Sequence, residues 1–172
     1  MAALADRLYW PCWLAACVLT GVVAGFMLGH ALVLGRFVEW LARSGSAELA
    51  LAYPGFQADA GRASLTAFYA LCGLEVIAVV AFLAAALVTR RQQAGLATLA
   101  AAAGALWLVV HYASGFGALE SRVLGATVQP PRLVVARFAQ LNTPIHLFHA
   151  AMLVTALGAL LAVTFATRRQ KG

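Results

Sequence analysis

The sequence predicts an all-α integral membrane protein, an antiparallel bundle of four transmembrane helices with two longer loops on one side. Hydrophobic residues fill 63% of the 172 positions and charged residues only 10%, whereas soluble domains average about 25% charged residues. Four apolar stretches are each long enough for a bilayer core, which takes about 20 residues per helix. Because backbone groups in lipid must be paired within their own segment, each stretch is expected to be helical.

The predicted helices cover residues 10–35, 65–89, 95–117 and 144–167, in one membrane domain that spans 1–172. The first contains Leu14-Ala15-Ala16-Cys17, which resembles a lipoprotein cleavage box. A long apolar run follows that box, whereas a cleaved signal is followed by polar sequence, so we interpret the segment as a retained span. A tight basic turn at residues 90–94 joins the second and third helices and makes them antiparallel neighbours.

The longer loops are predicted at residues 36–64 and 118–143. The first begins with an amphipathic piece at residues 36–41, which continues helix one, and later carries the turn signal Tyr53-Pro54-Gly55-Phe56. The second contains Pro130-Pro131 and then apolar residues that predict a short helix at the membrane interface.

Two interpretations of the start of helix four remain open. Thr143-Pro144 has the pattern of a helix start, with threonine as the N-cap and proline at the first helical position. Alternatively, one long helix runs from Pro131 and is kinked at Pro144.

The net charge of +6 arises from basic residues at the ends of apolar runs, such as Arg90-Arg91. That placement is typical of helix ends at lipid headgroups and does not indicate a nucleic-acid partner. Each side of the predicted bundle carries six of the twelve basic residues. Those on the side of the termini cluster beside helix ends, which favours a cell (inner) membrane protein with both termini in the cytoplasm.

A stripe of small residues runs along helix one at Gly21, Gly25 and Gly29. Such spacing lets another backbone approach closely. The stripe is interpreted first as packing within the bundle and second as the interface of a homo-oligomer. The three cysteines form no CxxC pair and are interpreted as small apolar side chains within or near the spans.

Strongly polar side chains within the spans are few, and five of them are candidates for a functional site. These are His30, Glu75, His111, His146 and His149. Each is predicted to lie in the half of the bilayer next to the long loops, with Glu75 about 15 Å deep at about 1.5 Å per residue. Ionisable groups at such depth are costly and usually face the bundle interior, so we expect them to converge in one pocket.

Several chemistries fit imidazoles gathered around a carboxylate. The group could bind a metal through all five residues, hold a haem through histidines, or move protons without a cofactor. His30, His111 and Glu75 are the candidate catalytic residues, with Trp107 one turn from His111. The plainer alternative is that each histidine hydrogen-bonds a neighbouring helix. The sequence contains no HExxH, CxxC or nucleotide-binding motif.

Three short motifs resemble those of the anthrone oxygenase-like family of small four-span membrane proteins. They are the glycine-rich first helix followed by His30, the Tyr53-Pro54-Gly55-Phe56 turn, and Phe138-Ala139-Gln140-Leu141-Asn142 before the last helix. A second group of four-span proteins has a similar Phe-x-x-Leu-(His or Asn) motif, and these motifs do not separate the two. The first resemblance implies oxidation of an activated aromatic CH2 by O2 without a bound cofactor, with His30 or His111 as the base.

Two functions therefore compete. The first is a membrane-embedded oxygenase or oxidoreductase that acts on a small lipophilic substrate in the His/Glu pocket. The second is a non-enzymatic subunit or small carrier, in which the same groups stabilise the bundle or relay protons. A ligand-sized pocket open to the long-loop side, with Trp40, Tyr53, Phe56 and Phe138 as its lid, favours the first. Histidines each bonded to a backbone carbonyl favour the second.

Overall fold

The computed structural model describes residues 2–44, 59, 62–124 and 130–169, and nearly all of these are helical, with no strand among them. The helices are α1 (Ala2–Gly29), α2 (Gly35–Ser44), α3 (Arg62–Val88), α4 (Ala94–Ala113), α5 (Phe116–Leu124) and α6 (Arg132–Arg169). A π-helical turn, His30–Leu34, joins α1 to α2 without a break in the helical backbone.

Four helical segments are long and apolar enough to cross a membrane, which confirms the predicted number of spans. They are Ala3–Trp40, Thr66–Val88, Ala94–Ala113 and Arg132–Thr167. Large apolar side chains cover their outer faces, as at Ile77 and Phe165, which are 63% and 65% exposed. In a bilayer these faces contact acyl chains rather than water, so the exposure carries no hydrophobic penalty.

The start of the fourth span follows the second of the two interpretations. A single helix runs from Arg132 to Arg169 with Pro144 inside it, so the separate interfacial helix predicted after Pro131 is wrong. Thr143 is not a free N-cap because its hydroxyl and its backbone N–H both donate to the Glu39 carboxylate. Beside the proline, which cannot donate a backbone hydrogen bond, this contact pairs the Thr143 N–H with a neighbouring helix.

Two other boundaries differ from the prediction. Helix α1 begins at Ala2, well before residue 10, and passes through Pro11. Helix α4 ends at Ala113 rather than at residue 117, because Gly115 adopts φ +76°, a left-handed conformation that glycine tolerates best. The turn predicted at residues 53–56 lies outside the described residues.

The spans pack as a ring in which α1 contacts α3 and α6, and α4 contacts the same two helices. On the side of the termini, the interior is apolar and includes Tyr9, Phe82, Leu160 and Val163. Small residues bring α3 and α4 together there, with Ala86, Ala97 and Ala100 completely buried. This is the close approach expected of alanine-rich membrane helices.

The glycine stripe does not pack inside the bundle along its whole length. A Cβ added at Gly21 would lie 4.0 Å from Leu157, but one added at Gly25 or Gly29 would meet no atom of the described residues within 4 Å. Both of those glycines are exposed. Packing within the bundle is therefore the wrong interpretation for Gly25 and Gly29, and the homo-oligomer interface stays a prediction.

Candidate functional site

The four histidines come from three helical segments that meet in the long-loop half of the bundle. His30 opens the π-helical turn after α1, His111 lies in the last turn of α4, and His146 and His149 lie on one face of α6. The spacing of three between the last two places them on neighbouring positions of one helix surface.

Their rings form a continuous series, called here the histidine row. The ring centroids of His30 and His146 are 4.0 Å apart, those of His146 and His149 are 5.5 Å apart, and those of His149 and His111 are 5.4 Å apart. The structure thus brings together all four histidines of the chain.

Four of the eight ring nitrogens in the histidine row are buried and have no hydrogen-bond partner among the described residues. Both nitrogens of His149 are buried and unpaired, as are Nδ1 of His111 and Nε2 of His30. His149 is completely buried. Only Nδ1 of His146 has a backbone partner, the Asn142 carbonyl oxygen at 2.8 Å. Because an unpaired buried polar atom typically costs about 1–3 kcal/mol, these nitrogens are unlike those of histidines that merely join helices.

Glu75 borders the histidine row through an indole. Its carboxylate is completely buried and accepts hydrogen bonds from the Thr20 hydroxyl at 3.0 Å and from the Trp107 indole N–H at 3.3 Å. The Trp107 ring lies 5.3 Å from the His149 ring. Residues of three helices therefore hold the carboxylate in place. In these contacts the Trp107 ring lies between Glu75 and the histidine row.

Three glycines make room for these polar groups. A Cβ added at Gly104 would lie 2.8 Å from Glu75 Oε1, and one at Gly117 would lie 2.9 Å from His111 Nε2. A Cβ at Gly35 would lie 2.8 Å from Asn142 Nδ2 and 3.0 Å from the His30 ring. Real Cβ atoms do not come this close, so an alanine at any of these positions would force the polar side chain beside it to shift.

A buried carboxylate ties α2 to α6 beyond the His30 end of the row. Glu39 is only 4% exposed. Its Oε1 accepts from the Thr143 N–H at 2.9 Å and from the Asn142 amide at 3.4 Å. The same amide also donates to the Gly35 carbonyl at 3.2 Å. These bonds hold the face of α6 that carries His146 against the face that carries His30.

Another carboxylate lies at the His111 end. Glu120 Oε2, on α5, is 3.9 Å from His111 Nε2. Burial raises the pKa of Glu120 from 4.5 to about 7, because a desolvated carboxyl favours its neutral form. The histidine row thus ends on a carboxyl group that changes protonation near neutral pH.

A cavity of about 340 Å³ opens beside the row, on the long-loop side. Its lining includes Phe116, Leu119, Arg122, Leu133, Arg137 and Leu141. The ring of Phe116 separates the cavity from the row, since its centroid lies 5.5 Å from that of His146 and 5.7 Å from that of His111.

The predicted aromatic lid is present only in part. Phe138 is buried and stacks on Phe116 with centroids 6.0 Å apart, so it supports the wall of the cavity. Trp40 is 63% exposed and does not line this cavity. Tyr53 and Phe56 lie outside the described residues.

The site is shaped as a row rather than as a cage. Among residues 2–44, 59, 62–124 and 130–169, no three His, Cys, Asp or Glu side chains are arranged to hold a metal ion. Metal ligation by His30, Glu75, His111, His146 and His149, or a haem held by histidines, stays a prediction that the arrangement does not favour.

Sequence reasoning missed the residues that surround the histidines. Thr20 and Glu120 contact site residues, and Glu39 contacts Asn142 beside His146, yet none was singled out. The scarcity of acidic residues could have pointed to Glu39 and Glu120. Only six Asp and Glu occur in the chain, and an acidic side chain next to a span needs a partner. No such signal marks Phe116, whose role depends on where the α4–α5 turn places it.

Comparison of this chain with models of known protein families, with curated proteins and with solved structures finds no match. The resemblance to anthrone oxygenases consequently rests on the three short motifs alone and stays a prediction.

Proposed function

We propose that this protein is a membrane-embedded enzyme of the oxygenase or oxidoreductase kind, acting on a small lipophilic substrate in the long-loop half of the bundle. The observation that carries the proposal is the set of buried, unpaired imidazole nitrogens in the histidine row. A neutral imidazole accepts a proton through such a nitrogen, as a general base requires. A purely structural role would be expected to satisfy these atoms within the protein.

In this proposal His111 is the base, because only the Phe116 ring lies between it and the cavity, and rotation of that ring brings a substrate C–H bond within reach of the imidazole. A proton removed from an activated CH2 group passes to the imidazole, and the resulting carbanion combines with O2, the oxidant that the family resemblance implies. The peroxide so formed takes up a proton and loses water together with the second C–H hydrogen, which leaves a carbonyl group. His30 and Glu75 are further candidates for proton transfer. The hydrogen bonds from Thr20 and Trp107 support Glu75 by fixing its carboxyl group.

The finer arrangement in the membrane belongs to the same proposal. We infer an antiparallel bundle in the cell (inner) membrane, with both termini in the cytoplasm and the cavity on the opposite side. The short connection between α3 and α4, residues 89–93, supports opposite directions for those two helices. The clustering of basic residues beside the termini supports the orientation.

The second candidate, a proton-relaying subunit without an enzymatic activity, is favoured by a different observation. The row is continuous from ring to ring and ends near Glu120 on one side, so protons could move along it without a substrate. The bond from His146 Nδ1 to the Asn142 carbonyl also matches what a structural role predicts.

Turnover of a test substrate separates the two candidates. The protein is placed in nanodiscs with an anthrone and O2, and the formation of the quinone and the uptake of O2 are measured together. We expect turnover that His111→Gln lowers by roughly a hundredfold or more, within the range attributed to general-base catalysis. Tyr112→Phe is the matched control, because Tyr112 is the adjacent residue and is 62% exposed toward lipid.

Full turnover by His111→Gln would exclude His111 as the base. Absence of turnover over a panel of lipophilic C–H acids, together with proton leakage through proteoliposomes that His111→Gln abolishes, would establish the relay instead.

A further inference from the structure

The cavity beside the histidine row combines two kinds of surface. Leu119, Leu141 and Phe116 contribute apolar side chains, whereas Arg122 from α5 and Arg137 from α6 contribute positive charge. Its volume of about 340 Å³ lies at the lower end of the range of about 300–1,000 Å³ that is typical of small-molecule sites.

Neither guanidinium is neutralised by the part of the protein that the structure describes. The ion pairs found there are Arg43 with Glu39, Arg91 with Asp6, and His111 with Glu120. Glu120 is close in sequence to Arg122 but is directed to the histidine, on the other side of Phe116. The cavity is therefore a positively charged opening with apolar walls.

We propose that this cavity binds the acidic group of a lipophilic monoanion, such as a free fatty acid or an aromatic acid, and that members of this class that carry an activated C–H bond are the substrates of the site. That the cavity binds such an acid follows from the cavity alone, whereas the identification of the acid as the substrate rests on the proposed function. The two arginines hold the carboxylate at headgroup level, where a guanidinium binds carboxylate through paired hydrogen bonds. The apolar body lies along Leu133 and Leu141 against Phe116, one ring away from His111.

The size of the cavity favours a single-chain acid over a phospholipid. A two-chain lipid could place only its headgroup among the leucines, and its chains would leave the apolar walls uncovered. An acid with one apolar body covers those walls and neutralises the arginines at the same time.

Equilibrium binding tests the proposal without any need for turnover. The full chain in dodecyl maltoside is titrated with an eighteen-carbon fatty acid that carries a fluorescent reporter at its tail, and with the methyl ester of the same probe. We expect the acid to bind and the ester to bind at least tenfold more weakly. Arg137→Gln should weaken acid binding by roughly ten- to a hundredfold, the range for a lost hydrogen bond to a charged group.

Arg132→Gln is the matched control, because Arg132 is an exposed arginine of the same helix and does not line the cavity. Arg122→Gln, on a separate helix, provides a second test if Arg137→Gln does not fold. Equal affinities for acid and ester, or equal losses in Arg132→Gln and Arg137→Gln, would overturn the proposal. Displacement of the probe by phosphatidylglycerol at comparable concentration would also overturn it, because the occupant would then be a lipid headgroup.

The outcome is distinguishable from that of the proposed function. Acid binding is measured without turnover, on the unmodified protein and its arginine variants, so it gives a result whether or not the histidines act in catalysis. Acid binding without any histidine-dependent turnover would remove the enzymatic proposal and leave a fatty-acid-binding protein. Histidine-dependent turnover with no acid binding would remove the cavity proposal alone.

Discussion

The two halves of the bundle are built on opposite principles. Toward the termini, Phe82, Leu160 and Val163 fill the interior together with alanines, and tight packing provides the stability. Toward the long loops, the interior contains four imidazoles and three carboxyl groups, and several ring nitrogens lack a partner. The terminal half therefore supplies most of the stability. Because of that stability, the other half can keep polar groups that are costly to bury and that are available for chemistry.

The largest expected loss of stability comes from the terminal half. Phe82 is completely buried, and its ring lies 5.2 Å from that of Tyr9. Phe82→Ala should lower the free energy of unfolding by roughly 3–5 kcal/mol, the usual range for a buried aromatic ring. An SDS titration in dodecyl maltoside, followed by circular dichroism, measures the loss. Ile77→Ala, on a lipid-facing position of the same helix, should cost far less, and equal losses would contradict the division of roles.

A smaller loss of stability is expected when the Glu39 carboxylate, which joins α2 to α6, is removed. Glu39→Ala leaves the Asn142 amide without one acceptor and Thr143 without its α2 partner. We expect a destabilisation of roughly 1–3 kcal/mol, the range for unsatisfied buried polar groups. The same SDS titration measures it, with the exposed Phe37→Ala as the control on the neighbouring turn. No loss relative to that control would show that the Glu39 bonds are dispensable.

The stability of the protein should also depend on pH through Glu120. Its pKa is raised from 4.5 to about 7, so the folded state holds a proton that the unfolded state releases. The resulting stabilisation is complete below pH 4.5 and is lost as pH rises through about 7. Each unit of raised pKa corresponds to about 1.4 kcal/mol at most.

Thermal unfolding at pH 5 and pH 8 measures this effect. Glu120→Gln should keep the pH 5 stability and lose much less of it at pH 8. Asp6→Asn provides a comparison for a carboxyl that is mainly exposed, since its side chain is 62% accessible. Identical pH profiles for Glu120→Gln and the unmodified protein would refute the assignment.

The smallest change in stability is expected at His149, where stability and turnover can be compared in one variant. His149→Leu replaces two unpaired buried nitrogens with an apolar side chain, which is typically neutral or stabilising. The free energy of unfolding should therefore change by less than about 1 kcal/mol, while the proposed turnover falls because His149 joins His111 to the rest of the row. SDS titration and the quinone assay are applied to the same preparation. Strong destabilisation would instead identify the row as a structural element.

The sequence predicts the spans well because the bilayer imposes a length and a composition that can be counted. It predicts the depth of the histidines for the same reason, since depth follows from position along a helix. It does not predict the continuous passage of α6 through Pro144, because this depends on bonds from Thr143 to a residue on another helix. Nor does it predict the Phe116 wall, which depends on a left-handed turn at Gly115.

The π-helical turn at His30–Leu34 has a consequence for rotational phase. Its closing bond runs from the Gly35 N–H to the His30 carbonyl, which accommodates one residue more than an α-helical turn does. One residue corresponds to about 100° of rotation in an α-helix. If the same residues were α-helical, α2 would be rotated by about that angle and Glu39 would face away from Asn142. Deleting a single residue there, for example Val33, would return the turn to α geometry and leave α2 nearly in phase, so the π-helical turn is what lets the extra residue fit while Glu39 keeps its bonds to α6.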